Sequence, residues 1–401
     1  MARLYGLEVG DVQRGTMLTG DIGETAVLAR HGRLGEARLR LFHPLKFMLA
    51  TAAEASEART LADEVGRQIP PPVAVEDKFD GIRAQAHVAA DPGDPALHGV
   101  AHDGARVALF SRTLDAITGA FPDLVGPLAA LAEASPAGLI LDGEIVPLGP
   151  DGAIVPFQAF QALQRRLGRK AASPDLLAEV PVAFVAYDVL AWDGATTLDA
   201  SYRDRQRLLD ALTFAEPVRR SAVTALDDLG RLDALFDEAR GRGNEGLMVK
   251  AFGSAYTPGR RGRDWLKVKK ALATLDVVVT AAQRGHGGRR KLLSDLTFAV
   301  RASETDGTLL NVGKAYSGLT DAELAELTAW FEAHTLETFA HGRVRTVEPE
   351  IVMEVAFDNV QVSRRHKSGY ALRFPRIVRW RRDKPAAEAD TLATVAALAG
   401  A

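Results

Sequence analysis

Apolar residues recur at helical spacing over residues 54–65, closed by prolines at 70–72, and then give way to short β-type runs. These runs predict strands at 73–76, 82–89, 107–111, 139–147, 182–191, 247–250 and 265–268. Helical spacing returns between them at 114–134, 157–167, 202–212 and 226–240. Strands interleaved with helices predict an α/β (α+β) domain of mixed sheet with helices on its faces. From residue 275 the pattern changes to strands at 275–282, 295–301, 309–316, 350–357 and 377–380 around one helix at 321–334. Five short strands and one helix have the size and order of an OB-fold β-barrel. Ahead of both lies a mixed segment, 1–41, with a turn-rich middle at 18–23 and too few residues for a core of its own. The expected organisation is a front segment 1–41, an α/β domain 42–270, a barrel 271–384 and an Ala-rich tail 385–401 that forms a loose helix or none.

A length of 401 residues supports more than one core. The longest apolar runs are strand-length, well short of a membrane span, and the first ten residues lack the apolar core of a signal peptide. The chain has no cysteine, which excludes disulfides, thiol catalysis and Cys-ligated zinc and fits a reducing compartment. A monomer in the cytoplasm, associated with the nucleoid and not with a membrane, is the expectation. A formal net charge of −3 argues against a nucleic-acid partner, but the distribution argues back. Basic residues cluster at 164–170, 260–270, 284–291, 364–367 and 376–384, and a phosphate-binding surface needs local potential, not a positive total.

The sharpest chemical signal is Glu76-Asp77-Lys78-Phe79-Asp80-Gly81-Ile82-Arg83. A strand here delivers a lysine into a loop, and Gly81 permits close approach of backbone or ligand. A nucleophilic lysine must shed its proton, which burial near other cations favours. Alone, such a run also fits a surface turn. It is followed by Leu141-Asp142-Gly143-Glu144, Ala186-Tyr187-Asp188, Glu245-Gly246-Leu247-Met248-Val249-Lys250 and Trp265-Leu266-Lys267-Val268-Lys269. Lys267 and Lys269 alternate on one predicted strand, so both face one side and could share a phosphate. Glu144 and Glu245, beside glycines at strand edges, are candidate Mg²⁺ carboxylates, and Tyr187 is a candidate wall for a base.

In order and content these motifs resemble the covalent nucleotidyltransferases, and most closely the ATP-dependent DNA ligases. The resemblance extends from about Gly20 to Lys384, with Met48-Leu49-Ala50 at the entry to the nucleotidyltransferase (ATP-grasp-like) domain and Ser368–Arg376 matching the last ligase motif. It implies ATP and Mg²⁺ as cofactors and nicked duplex DNA as partner. Lys78 would accept AMP, pass it to the 5′-phosphate at the nick, and the 3′-hydroxyl would then attack. Glu76 would read the adenine amino group. Arg83 and Arg112 would hold ribose and phosphate, Arg112 alternatively the nick 5′-phosphate. Glu144 and Glu245 would serve ribose and metal, and Tyr187 would stack on adenine where phenylalanine is usual. Lys250, Lys267 and Lys269 would support the nucleotide, and Arg376, Arg381 and Lys384 would close over the β- and γ-phosphates. Arg382 departs from the acidic residue common there.

Several residues also have structural readings: Asp142 as a turn cap, Asp188 as a loop brace, Trp265 as core packing, and Ser111 as an organiser of its loop. Gly241-Arg242-Gly243-Asn244-Glu245-Gly246 has the letters of a dinucleotide loop, but in helix-then-strand order, the reverse of what a phosphate site needs. RNA ligases and mRNA-capping guanylyltransferases share the lysine chemistry, but the Arg373-Phe374-Pro375-Arg376 ending and Gly20–Glu24 favour DNA ligase. NAD-dependent ligases need a cysteine zinc cluster that this chain lacks, and a non-catalytic DNA-end-binding module has no use for the retained lysines and glutamates. Larger ligases carry a full helical DNA-binding domain of which residues 1–41 resemble only the close, so self-adenylation is expected to survive with reduced nick affinity.

Overall fold

The computed structural model describes residues 1–54, 60–154, 163–167, 172–269 and 273–399, which form two compact units, Met1–Lys269 and Lys270–Ala401. The helix expected at 157–167 and the basic cluster at 164–170 lie largely outside the described residues.

The first unit contains two sheets. The larger is antiparallel along the order Val100–His102, Ala105–Ser111, Ile82–Ala90, Leu139–Pro147, Val182–Trp192, Ala195–Thr196, with Val218–Arg220 added in parallel to Val182–Trp192. The smaller runs Leu49–Glu54, Arg261–Lys269, Gly246–Ala251, Val73–Lys78, Thr224–Leu226, and its first pair is parallel. Val73–Lys78 passes directly into Ile82–Ala90, so the loop that follows Lys78 joins the two sheets. Gly81 is needed at this crossing: a Cβ there would lie 2.2 Å from the carbonyl oxygen of Ile145. Apolar side chains of both sheets, including Ala74, Ile140, Leu190 and Trp265, share a core with Leu18, Leu45 and Met48. Burying the two sheets against one core sets the faces that carry Lys78 and Glu144 toward a common space.

Four element expectations change. Residues 54–65 were expected as a helix, but Leu49–Glu54 is a strand paired with Arg261–Lys269. The helix is Leu61–Gly66, started by a Thr60–Asp63 capping box. Only Glu54 of the expected helix falls in that strand, and residues 55–59 lie outside the described residues. The helix expected at 114–134 is broken into Thr118–Ala120, Pro122–Leu124, Val125–Ala129 and Ala130–Glu133, as a proline inside the pattern requires. The one expected at 226–240 is Leu232–Gly241, preceded by the strand Thr224–Leu226. The mixed front segment holds the helices Val9–Thr19 and Ile22–Arg30, hinged at Gly20 in the left-handed region, where Asp21 Oδ1 accepts from Glu24 N at 2.8 Å. Glycines at 10, 15 and 23 weaken the helical signal there, and packing of Leu18 and Leu28 against the shared core compensates.

The second unit is built on the long strand Ala273–Arg284, which pairs with Leu293–Arg301 along one side. Along its other side it pairs first with Val352–Phe357 and then with Val344–Val347. Leu309–Ala315, Thr335–Phe339 and Arg376–Trp380 extend the sheet, and Asn359–Val362 with Tyr370–Arg373 forms a separate hairpin. The expected barrel is thus present as its strands and helix, but the hydrogen-bond ladder does not close among the described residues. Helix Asp321–Ala333 buries Leu324, Leu327 and Phe331 in this core. The Ala-rich end forms helix Leu392–Ala399, whose Val395 is buried in the same core. No helix among the described residues is long and apolar enough to cross a membrane.

Candidate active site

A cavity of about 240 Å³ opens where the sheets of the first unit meet. It is lined by Glu76, Lys78, Arg83, Arg112, Glu144, Tyr187, Lys250 and Lys267, eight of the positions singled out in the sequence, together with Phe79, Met248, Arg261 and Trp265. The strands explain the convergence. Glu76 and Lys78 are two residues apart on one strand and so share a face. Arg83 and Glu144 are register partners on neighbouring strands, as are Glu76 and Met248.

Lys78 Nζ contacts Glu245 Oε2 directly, which brings Glu245 to Lys78 from the turn before Gly246–Ala251. That turn is shaped by Gly246, whose φ is +147° and whose Cβ position would be 2.4 Å from Val268 O. Asp77, on the opposite face of the strand, is held by Arg242 at 2.8 and 2.9 Å and by Asn244 at 2.8 Å. The glycine-rich 241–246 run therefore connects a helix to a strand and aims Glu245 at Lys78.

Arg83 makes a fork to Asp142 at 2.7 and 3.1 Å, donates to Met48 O at 2.7 Å, and lies over Phe47 with 4.8 Å to the ring centroid. Asp142 is fully buried in the middle of a strand and also accepts from Tyr256 Oη at 2.7 Å, so its reading as a turn cap is replaced by one as the anchor of Arg83. Asp188, expected to brace a loop, lies in strand Val182–Trp192 and instead forms a fully buried pair with Arg205 of helix Tyr202–Asp210 at 2.7 and 3.0 Å. Trp265 is core, 1% exposed, with Nε1 donating to Ser254 Oγ at 3.2 Å, although one edge reaches the cavity. Ser111 Oγ lies 2.9 Å from Thr113 Oγ1 and accepts from Asp115 N, organising its loop.

Electrostatics in the cavity are uneven. Burial pushes the Glu144 carboxyl up to about 8, against the opposing pull of Lys78 and Arg83 and with a smaller push from Glu245. Lys250 Nζ pairs with Glu76 Oε1 at 2.6 Å and sits 4.4, 4.8 and 4.9 Å from the ring centroids of Trp265, Tyr202 and Tyr187. The Tyr202 hydroxyl donates to the same Glu76 oxygen. Among the described residues no group of three or more His, Asp or Glu side chains is arranged to hold a metal ion. Two carboxylates around Lys78 nevertheless suit Mg²⁺, which is commonly held by one or two carboxylates and completed by phosphate oxygens and water.

The remaining sequence candidates are placed elsewhere or not described. Lys269 lies on the strand Arg261–Lys269, but its side chain is outside the described residues. Arg376, Arg381 and Lys384 belong to the second unit, where Arg381 and Lys384 converge on Asp276 at 2.7 to 3.0 Å. The sequence motifs missed Tyr202, Arg205, Gln206 and Tyr256. The signal for the first three is a buried stripe at 202, 205, 206 and 209 on helix Tyr202–Asp210, and an arginine and a glutamine on such a stripe mark a polar job inside.

The chain matches the family model for the ATP dependent DNA ligase domain over residues 48–269 and that for the ATP dependent DNA ligase C terminal region over residues 289–384. It is 48% identical to a probable DNA ligase of Koribacter versatilis, covering 98% of this chain and 66% of that protein. It is 43% identical to a probable DNA ligase of Opitutus terrae, covering all of this chain and 43% of that protein. The chain thus spans about two thirds of one relative and under half of the other. A solved structure of a Lig E DNA ligase has the same fold, with a TM-score of 0.52 at 17% identity over 83% of this chain and 99% of that one. Lys78, its cavity and the order of the surrounding motifs fall within the first matched region, and the chain belongs to the ATP-dependent DNA ligase family.

Proposed function

We propose that this chain seals nicks in duplex DNA with ATP, through an AMP group carried on Lys78. The observation that carries this reading is a lysine amine in direct contact with a carboxylate, at the edge of a cavity that also offers a base wall and several cations. Glu245 is the carboxylate placed to receive the proton of the Lys78 ammonium. The amine then attacks the α-phosphorus of ATP: the N–P bond forms, the bond to the bridging oxygen breaks, and pyrophosphate leaves with that electron pair. Lys267, Arg112 and Tyr187 all line the cavity, and we assign the first two to the phosphates and Tyr187 to stacking on the base. Glu144 and Glu245 would hold Mg²⁺, which supplies counter-charge to the triphosphate. Arg83, locked by Asp142 and Met48 O, is the preorganised donor for ribose or phosphate. Lys250 is held in its cage by Glu76 and supports the base end of the cavity; Lys269 is assigned with Lys267 to the phosphates. In the later steps a 5′-phosphate oxygen takes AMP from Lys78, and the 3′-hydroxyl displaces AMP to form the phosphodiester. Arg376, Arg381 and Lys384 are assigned, as part of this proposal, to the β- and γ-phosphates during self-adenylation. We keep 1–41, 42–270, 271–384 and 385–401 as proposed functional segments, the first and last of which pack into the cores of the two units.

The test is to incubate the protein with Mg²⁺ and ATP labelled at the α-phosphate and then with a nicked duplex. Label on protein that is chased into DNA, with a sealed product, is the expected result. Labelling of protein without sealing on DNA, but with sealing on nicked RNA, would overturn the DNA assignment.

A further inference from the structure

One helix outside the sequence motifs holds both ends of the base side of the cavity. Tyr202 opens helix Tyr202–Asp210, is fully buried, and donates its hydroxyl to Glu76 Oε1, the oxygen that Lys250 Nζ also meets. One turn later, Gln206 Nε2 donates to Tyr187 O at 2.9 Å, and Arg205 clamps Asp188, the next residue along. The same element therefore fixes an acceptor, Glu76, and a ring, Tyr187, that line one cavity.

A carboxylate only accepts hydrogen bonds, so it recognises a ligand by an N–H or O–H that the ligand presents. Its selectivity depends on orientation, because a carboxylate free to turn would meet its nearest cation and nothing else. Lys250 alone would allow such a turn, since its ammonium is held by three ring faces and imposes little direction. The Tyr202 hydroxyl is directional and sits on a rigid ring in the core. We propose that Tyr202 is a positioning residue for base selection: its hydroxyl orients Glu76 to accept from the exocyclic amino group of a 6-aminopurine. This rests on the nucleotide reading of the cavity. A 6-oxo purine would place an acceptor against the carboxylate, and a purine with hydrogen at that position would leave it unpaired. Burial and the neighbouring Glu76 raise the Tyr202 phenol well above its ordinary range, which keeps the donor proton in place.

The experiment compares wild type, Tyr202→Phe, Glu76→Gln and the double variant in initial rates of self-labelling. The nucleotides are ATP and purine riboside triphosphate, which lacks the 6-amino group, and each protein is matched by thermal melting. Tyr202→Phe should lower kcat/KM for ATP by roughly tenfold, through KM, and change the analogue by less than about twofold. Their ratio then collapses toward one. In the Glu76→Gln background the added Tyr202→Phe change should leave the ratio where it was, because Tyr202 acts through Glu76. Equal losses for both nucleotides, or a further loss of ratio in the double variant, would overturn the proposal while leaving the nucleotide reading intact. If wild type labels with neither nucleotide, the underlying reading itself fails and the proposal with it. Should Tyr202→Phe not fold, Tyr202→Met, which also removes the hydroxyl, takes its place with the same outcomes, and a Glu76→Gln ratio equal to wild type overturns the proposal as well.

Discussion

Replacing Arg205 by methionine should unfold the first unit at markedly lower denaturant. Arg205 and Asp188 have no exposed side-chain surface, and the guanidinium makes two contacts to the carboxylate plus donations to Ala200 O at 2.5 Å and Ser254 O at 3.0 Å. Methionine fills much of the stem but leaves Asp188 as a buried carboxylate without its cation. Breaking a buried pair from one side costs about 3–5 kcal/mol, and unmet carbonyls add to it, so roughly 4 kcal/mol or more is expected. That is a large share of the ~5–15 kcal/mol by which domains are stable. Burial already holds the Asp188 carboxyl above its ordinary value, with Arg205 pulling it back, so the variant should bind a proton that wild type does not and lose least at low pH. Urea unfolding followed through Trp192 and Trp265, both in the first unit, reads the loss. Arg205→Met with Asp188→Asn should recover part of it, because no charge is then stranded. A loss under about 1 kcal/mol for the single variant, or a double variant worse than the single one, would refute the reasoning.

Three further outcomes are expected. Gly81→Ala places a Cβ 2.2 Å from Ile145 O, so the strand crossing after Lys78 must shift; a loss of about 1–3 kcal/mol and slowed self-labelling should appear together, and a neutral variant would contradict the geometry. Burial lowers the pKa of His87 to about 3 from an ordinary 6.5, so the unfolded chain takes up a proton that the folded one refuses. Its contribution is complete above pH ~6.5 and falls away as pH drops toward 3; at pH 5 the loss is about 2 kcal/mol, and His87→Gln should flatten that slope in urea titrations. In its proposed role as a Mg²⁺ ligand, Glu144, pushed up to about 8, would have to ionise, so the Mg²⁺ concentration for half-maximal labelling should rise as pH falls below 8 and level off above it. A requirement constant from pH 6.5 to 8 would remove Glu144 from the metal site.

The strands and the chemistry were legible for a common reason. Val73–Lys78 and Leu139–Pro147 open as apolar runs, so Glu76, Lys78 and Glu144 stand out against them. What the pattern hid follows from partners distant in sequence. Leu49–Glu54 carries no strand signal of its own and becomes one by pairing with Arg261–Lys269, which no local pattern announces. Asp142 reads as a turn residue until Arg83 and Tyr256 reach it from strands and loops far along the chain. Tyr202, Arg205 and Gln206 fall in the helix expected at 202–212 but in no motif, because their counterparts, Glu76, Asp188 and Tyr187, lie on other elements. The front helices were obscured by glycines, and the strand Thr335–Phe339 by its exposure, which removes the alternation that marks a half-buried strand.

The most direct test of the central claim is to digest the protein after incubation with ATP and Mg²⁺ and to locate AMP by peptide mass spectrometry. The account predicts one acid-labile AMP adduct, on Lys78, absent from Lys78→Ala and lost from wild type when nicked DNA is added. An adduct on another lysine, or none on folded wild type that was nucleotide-free at the start, would contradict it.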